Sequence, residues 1–158
     1  MWIELPPIWI AALNVVLLPA LQLGLAWSFT RMPAAWFEPP AWASRGDATA
    51  FGKRFHVKRW KHLLPDGASW FAGGFAKASL ESTEPAYLKR FVAETWRGEL
   101  CHASMLALVP VFFLWNPWWG CVVIVLYALA ANLPCMIVQH ANRLRLLGLL
   151  RRGVNRRS

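Results

Sequence analysis

Residues 8–29 make a run of twenty-two side chains without a single charge. As a helix, such a run is long enough to cross a hydrocarbon core of ~30 Å. A chain that carries it must either bury it in lipid or lose it as a leader. The start Met1-Trp2-Ile3-Glu4-Leu5-Pro6-Pro7 has no Lys or Arg, and no clear small-residue cleavage site follows, so the expectation is a retained span. Two further apolar runs, 99–115 and 118–138, flank Asn116-Pro117, a turn signal, and read as a tight antiparallel hairpin. The expected fold class is an all-α integral membrane protein with about three transmembrane helices, in one membrane domain covering residues 1–158. Composition agrees, since 57% of the residues are hydrophobic, against about 45–50% in a soluble globule. Eleven Trp residues suit the boundary between lipid tails and water.

Charge sets the orientation. Residues 30–98 hold eleven of the seventeen Lys and Arg, and residues 139–158 hold the other six. The N-terminus and the hairpin tip hold none. Basic segments stay on the cytoplasmic side, which places the loop and C-terminus inside and the N-terminus outside. Most of the net charge of +9 is then accounted for by topology and contact with anionic lipid headgroups, and no nucleic-acid partner is expected. Within the loop, Trp36-Phe37-Glu38-Pro39-Pro40-Ala41-Trp42 suits a stiff interfacial segment. Residues 51–64 mix Phe55, Trp60, Leu63 and Leu64 with five basic residues. They fit an interfacial amphipathic helix or, over Phe55-His56-Val57-Lys58, a strand. Pro65-Asp66-Gly67 reads as a turn. Ser82-Thr83-Glu84-Pro85 reads as a helix start capped by a hydroxyl of Ser82 or Thr83, with no break before the second span. The Arg and Leu residues after Gln139 form an amphipathic cationic tail.

The candidate site lies where this second helix enters the apolar run. Glu94, Arg97, Glu99 and His102 follow one another there, and Glu99 and His102, three apart, share a helical face. Lipid offers an unpaired carboxylate or imidazole no partner, so such residues are functional candidates. Counting away from the turn brings His102 level with about Asn132, roughly 20 Å from the tip at ~1.5 Å per residue. The same count puts Glu99 near Cys135 and Glu94 near Gln139. Asn132, Gln139 and Arg143 recur at helical steps on the third span and make a facing stripe. One alternative is that these side chains only tie the spans together. A metal site is not expected, because the Glu-x-x-His repeat of di-iron bundles occurs once and Cys101, Cys121 and Cys135 have no ligand spacing. Cys101 is a minor candidate for an acyl-accepting nucleophile beside His102.

Four stretches resemble the glycosyl-4,4'-diaponeurosporenoate acyltransferase family. They are Thr30-Arg31-Met32-Pro33 with Trp36-Phe37; Val57-Lys58-Arg59-Trp60-Lys61-His62 with Asp66-Gly67; Glu94-Thr95 with Arg97, Glu99 and His102; and Ala131-Asn132-Leu133-Pro134 with Val138-Gln139, Asn142-Arg143 and Arg145-Leu146. Ala103 stands where the family pattern has Trp, His140-Ala141 replaces an Arg-Tyr pair, and Cys101 replaces an aliphatic residue. The resemblance implies transfer of a fatty acyl group, at a bacterial cell membrane, to a hydroxyl of a glycolipid or glycosylated carotenoid. It implies no cofactor: the donor would be an acyl thioester, acyl-CoA or acyl-carrier protein. His102 would act as general base with Glu99, or Glu94, in support. Asn132 or Gln139 would stabilise the oxyanion. Arg97, Asn142, Arg143, Arg59 and Lys61 would contact substrate, the cations holding a phosphate or anionic headgroup. The competing classes are a non-catalytic membrane partner subunit and another small lipid-modifying enzyme, such as a methyltransferase. An acyl-sized cavity reaching Glu99, His102 and Asn132 would favour the acyltransferase, and closed packing the partner.

Overall fold

The computed structural model describes residues 2–64, 70, 72–77 and 79–155, with side chains described as far as residue 153. The turn expected at Pro65-Asp66-Gly67, and Arg156 and Arg157 of the tail, lie outside the described residues. Every regular element among the described residues is helical. Helix α1 is Pro7–Arg31, started by Pro7 in its first turn and left at Met32 in extended backbone. Two single 3₁₀ turns, Ala34–Phe37 and Ala41–Ser44, lead to α2, Ala48–Arg54. Asp47 caps α2 by accepting from the backbone N–H of Thr49 at 2.6 Å and of Ala50 at 3.3 Å. Helix α3, Val57–Trp60, continues into a 3₁₀ turn, Lys61–Leu63. Helix α4 is Pro85–Leu108, prolonged by a 3₁₀ segment, Val109–Leu114. Helix α5, Trp118–Asn155, runs 38 residues and absorbs the basic tail.

Among the described residues three helices are long and apolar enough to cross a membrane: Pro7–Arg31, Pro85–Leu114 and Trp118–Gly153. The basic stretch 51–64 differs from both forms expected of it. His56 takes a left-handed backbone, φ 49°, which ends α2 and starts α3, so the stretch is two short helices. At the start of α4 the N-cap is Glu84, without a side-chain cap. The hydroxyl of Ser82 instead accepts from the N–H of Glu84 at 3.1 Å, one turn too early to cap the helix.

Lipid is as apolar as leucine, so helices in it associate through close packing and hydrogen bonds. Both are concentrated at two levels. At the hairpin tip, Val109, Phe112, Trp115, Ile124 and Ala128 are buried, and Leu13, Leu18 and Leu21 of α1 pack against them. Asn14 locks that end: its amide N–H donates to Asn116 at 2.8 Å, and its carbonyl accepts from Trp115 and Asn116 at 3.0 Å each. At the basic end, Leu88, Phe91 and Val92 of α4 pack on Leu146 of α5. Beside them Phe37, Ala43 and Trp96 join the loop to α4. Between these levels α4 and α5 come close at Gly98, where a Cβ would sit 3.1 Å from the Gln139 amide nitrogen. Helix α1 leans on α4, whereas α5 packs on α4 and on the loop helices α2 and α3.

Candidate active site

Three helical stripes face a common space below the tip. From α1 come Leu18, Gln22, Ala26, Phe29 and Thr30; from α4, Glu94, Arg97, Gly98, Cys101, His102 and Met105; from α5, Tyr127, Ala131, Asn132, Cys135, Gln139 and Asn142. Each set recurs at three- and four-residue steps, the spacing of one helix face. They enclose a cavity of about 700 Å³, within the range of small-molecule sites. Leu18 and Met105 line it toward the tip, and the loop residues Lys61, Leu64, Trp70, Phe75 and Lys77 line it toward the basic end.

His102 and Asn132 meet at the wall of this cavity, Nδ1 to Oδ1 at 2.8 Å. The direction of the bond follows from the other side of the amide. Asn132 is 1% exposed, and its Nδ2 donates to the carbonyl of Ala128 at 2.8 Å. Its Oδ1 therefore accepts, and His102 carries its proton on Nδ1. That tautomer leaves Nε2 with a lone pair, the form a general base requires.

The acidic residues are engaged elsewhere. Glu94, 3% exposed, holds Nη1 of Arg97 through both oxygens, at 2.8 and 3.0 Å. Arg97 also donates to the carbonyl of Met32 at 2.8 Å and lies over the Phe37 ring. Glu99 pairs with Arg143 at 2.7 Å, not with His102. Arg143 is fully buried; it donates to the carbonyl of Ala43 at 2.9 Å and to His140 Nδ1 at 2.7 Å, and lies over Trp96. Glu99 and Arg143 do not line the cavity, because α4 and α5 cross with this pair on their far side, against the loop. Their arrangement is that of a buried joint between hairpin and loop.

Of the other expected contacts, Gln139, Asn142 and Lys61 line the cavity and Arg59 does not. The Gln139 Oε1 is buried without a hydrogen-bond partner among the described residues. Lys61 and Asn142 also border a side cleft of about 50 Å³ with Arg145 and Lys77, so the mouth of the cavity is cationic. Cys101 is buried at the wall and all three cysteines are free. Among the described residues no group of three His, Cys, Asp or Glu could hold a metal ion. Sequence reasoning passed over Gln22, Tyr127 and Gly98. For Gln22 the available signal was a second amide, eight residues after Asn14, in an uncharged span.

The family model described as glycosyl-4,4'-diaponeurosporenoate acyltransferase matches residues 33–152. Proteins of that name from Staphylococcus aureus strains USA300 and NCTC 8325 / PS 47 are each 30% identical to this chain in an alignment of 136 residues that covers 82% of this chain and 81% of theirs. No solved structure matches. The matched region runs from the first loop turn almost to the end of α5, and so includes the hairpin and the His102–Asn132 pair. This chain belongs to the glycosyl-4,4'-diaponeurosporenoate acyltransferase family and is a membrane acyltransferase of that type.

Proposed function

We propose that the protein moves a fatty acyl group from a thioester to a hydroxyl of a glycosylated lipid, with His102 as the base. The observation that carries this reading is the His102–Asn132 bond on the wall of a large apolar cavity. In the proposed step, Nε2 of His102 takes the proton of the acceptor hydroxyl while its oxygen attacks the thioester carbonyl carbon. The C–O bond forms, the tetrahedral intermediate collapses and the C–S bond breaks. The leaving sulfur takes the proton back from the imidazolium, so ester and free thiol are the products. Asn132 fixes the tautomer and stabilises the imidazolium through Oδ1. Its second amide hydrogen can donate to the oxyanion.

The roles of the charged residues follow from their partners. Glu94 and Arg97 neutralise each other at the wall, and Glu99 holds Arg143 away from it, so neither acid supports His102 directly. Gln139 lies two turns from Asn132, about 10 Å along the helix. It is placed to meet the polar arm of the donor rather than the reacting carbonyl. Lys61, at the mouth with Asn142, suits the phosphate of an acyl-CoA or an acyl-carrier protein. That donor comes from the cytoplasm, where the basic loop and tail are placed by charge asymmetry. A glycosylated carotenoid, the acceptor named for the relatives, is one member of the lipid class proposed.

The test is direct. Purified protein in nanodiscs, supplied with isotopically labelled acyl thioesters and glycosylated lipids, is expected to yield a new ester by mass spectrometry. His102→Gln is expected to insert normally and lose it. An equal yield from the variant would overturn the assignment of the base.

A further inference from the structure

Two polar side chains that the proposed step leaves unused stand on opposite walls of the cavity. Gln22 is on α1 and Tyr127 on α5, helices whose main contacts are with α4 and the loop rather than with each other. Neither belongs to the hydrogen-bond networks that hold the helices together. Their depths agree. Gln22 lies eight residues past Asn14, which is bonded to the tip residue Asn116, and so about 12 Å below the tip. Tyr127 lies nine residues past the start of α5 at Trp118, about 13 Å below it. Asn132 is five residues further, so the two stand roughly 7 Å tipward of the His102–Asn132 pair. Leu23 beside Gln22 is 48% exposed and Tyr127 is 56% exposed. The cavity therefore reaches the lipid-facing surface between α1 and α5 at this level.

An amide and a phenol without hydrogen-bond partners among the described residues, within a membrane wall, carry a desolvation cost that a hydrogen-bonding occupant offsets. Seven ångströms is about the span of one pyranose ring. We propose that Gln22 and Tyr127 grip the hydroxylated ring of the acceptor lipid as it enters sideways between α1 and α5, presenting one ring hydroxyl to His102. The proposal rests on the acyltransferase reading and extends it. Donor and acceptor then use different doors: the donor the cationic mouth at Lys61, the acceptor the lateral gap. Gln22 and Tyr127 are specificity residues that select a glycoside over a plain lipid alcohol.

The test measures binding, so it does not depend on turnover. A radiolabelled long-chain alkyl glucoside and the alcohol of the same chain length are titrated onto the protein in nanodiscs. Wild type is expected to bind the glucoside about tenfold more tightly than the alcohol. Gln22→Leu and Tyr127→Phe are each expected to weaken glucoside binding roughly three- to tenfold, the scale of one lost hydrogen bond. Alcohol binding should not change. If Gln22→Leu fails to insert, Tyr127→Phe, which removes one oxygen from an exposed side chain, decides the matter. A wild type without glucoside preference, or variants that keep it or lose both ligands equally, would overturn the proposal. Retained glucoside preference together with absent ester formation would refute the acyl-transfer reading and leave the recognition pair standing.

Discussion

At the scale of single residues, two kinds of polar side chain share one membrane interior and call for different outcomes on substitution. His102 has its base nitrogen facing open space, so His102→Gln should lower kcat by about 10²–10⁴, the usual worth of a general base, with melting temperature nearly unchanged. Asn132→Leu leaves the ring in place but frees its tautomer. Because the orienting bond and the oxyanion donor are lost together, a fall in kcat of about 10²–10³ is expected, with little change in KM. Glu99→Gln acts on the other kind. It strands the fully buried Arg143, and breaking such a pair costs about 3–5 kcal/mol. A lower melting temperature in detergent is therefore expected, while activity per folded molecule persists. A variant that kept its stability and lost its turnover would return Glu99 to the reaction. The sequence reveals the meeting of His102 and Asn132, since distance from the turn sets depth in a hairpin. It does not reveal the partner of Glu99, because depth says nothing of rotation. Glu99 faces Arg143 on the side where the loop carbonyl of Ala43 and the Trp96 ring also hold the guanidinium.

At the scale of helices, the close approach of α4 and α5 depends on Gly98, whose missing side chain leaves room for the Gln139 amide. Gly98→Ala adds a Cβ at 3.1 Å from that flexible end, and should push the amide into the cavity at small cost in stability. A few-fold rise in donor KM with kcat held is the expected result. Gly98→Leu should separate the helices and lose both. Pro134 sits inside α5 without an N–H to give, so the carbonyl of Ala130, at the cavity wall, lacks its usual helical partner. The three apolar runs announce the helices because each is long and uncharged. The 3₁₀ segment before the tip begins at Val109-Pro110, where Pro110 has no N–H to continue the α-helical ladder. The break at His56 is not announced, and it accompanies the burial of Val57.

At the scale of the whole molecule, the charge asymmetry predicts an orientation that can be tested from outside the cell. A single cysteine replacing Trp118, 80% exposed at the tip, should react with an impermeant maleimide in intact cells, in a background lacking the three native thiols. One at Lys58 should react only after permeabilisation. The reverse pattern would invert the topology. The pairing of the buried charges bears as well on how the protein enters the membrane. Glu94 and Arg97 are neighbours on one turn, so that pair is neutral as soon as α4 winds up. Glu99 has no counter-ion on its own helix and waits for Arg143, far along α5. A nascent chain halted before residue 143 thus offers the insertion machinery a second helix still carrying a bare carboxylate, which lipid rejects. The expected consequence is that α4 and α5 pass from the translocation channel into lipid together, as one unit completed when Arg143 pairs with Glu99.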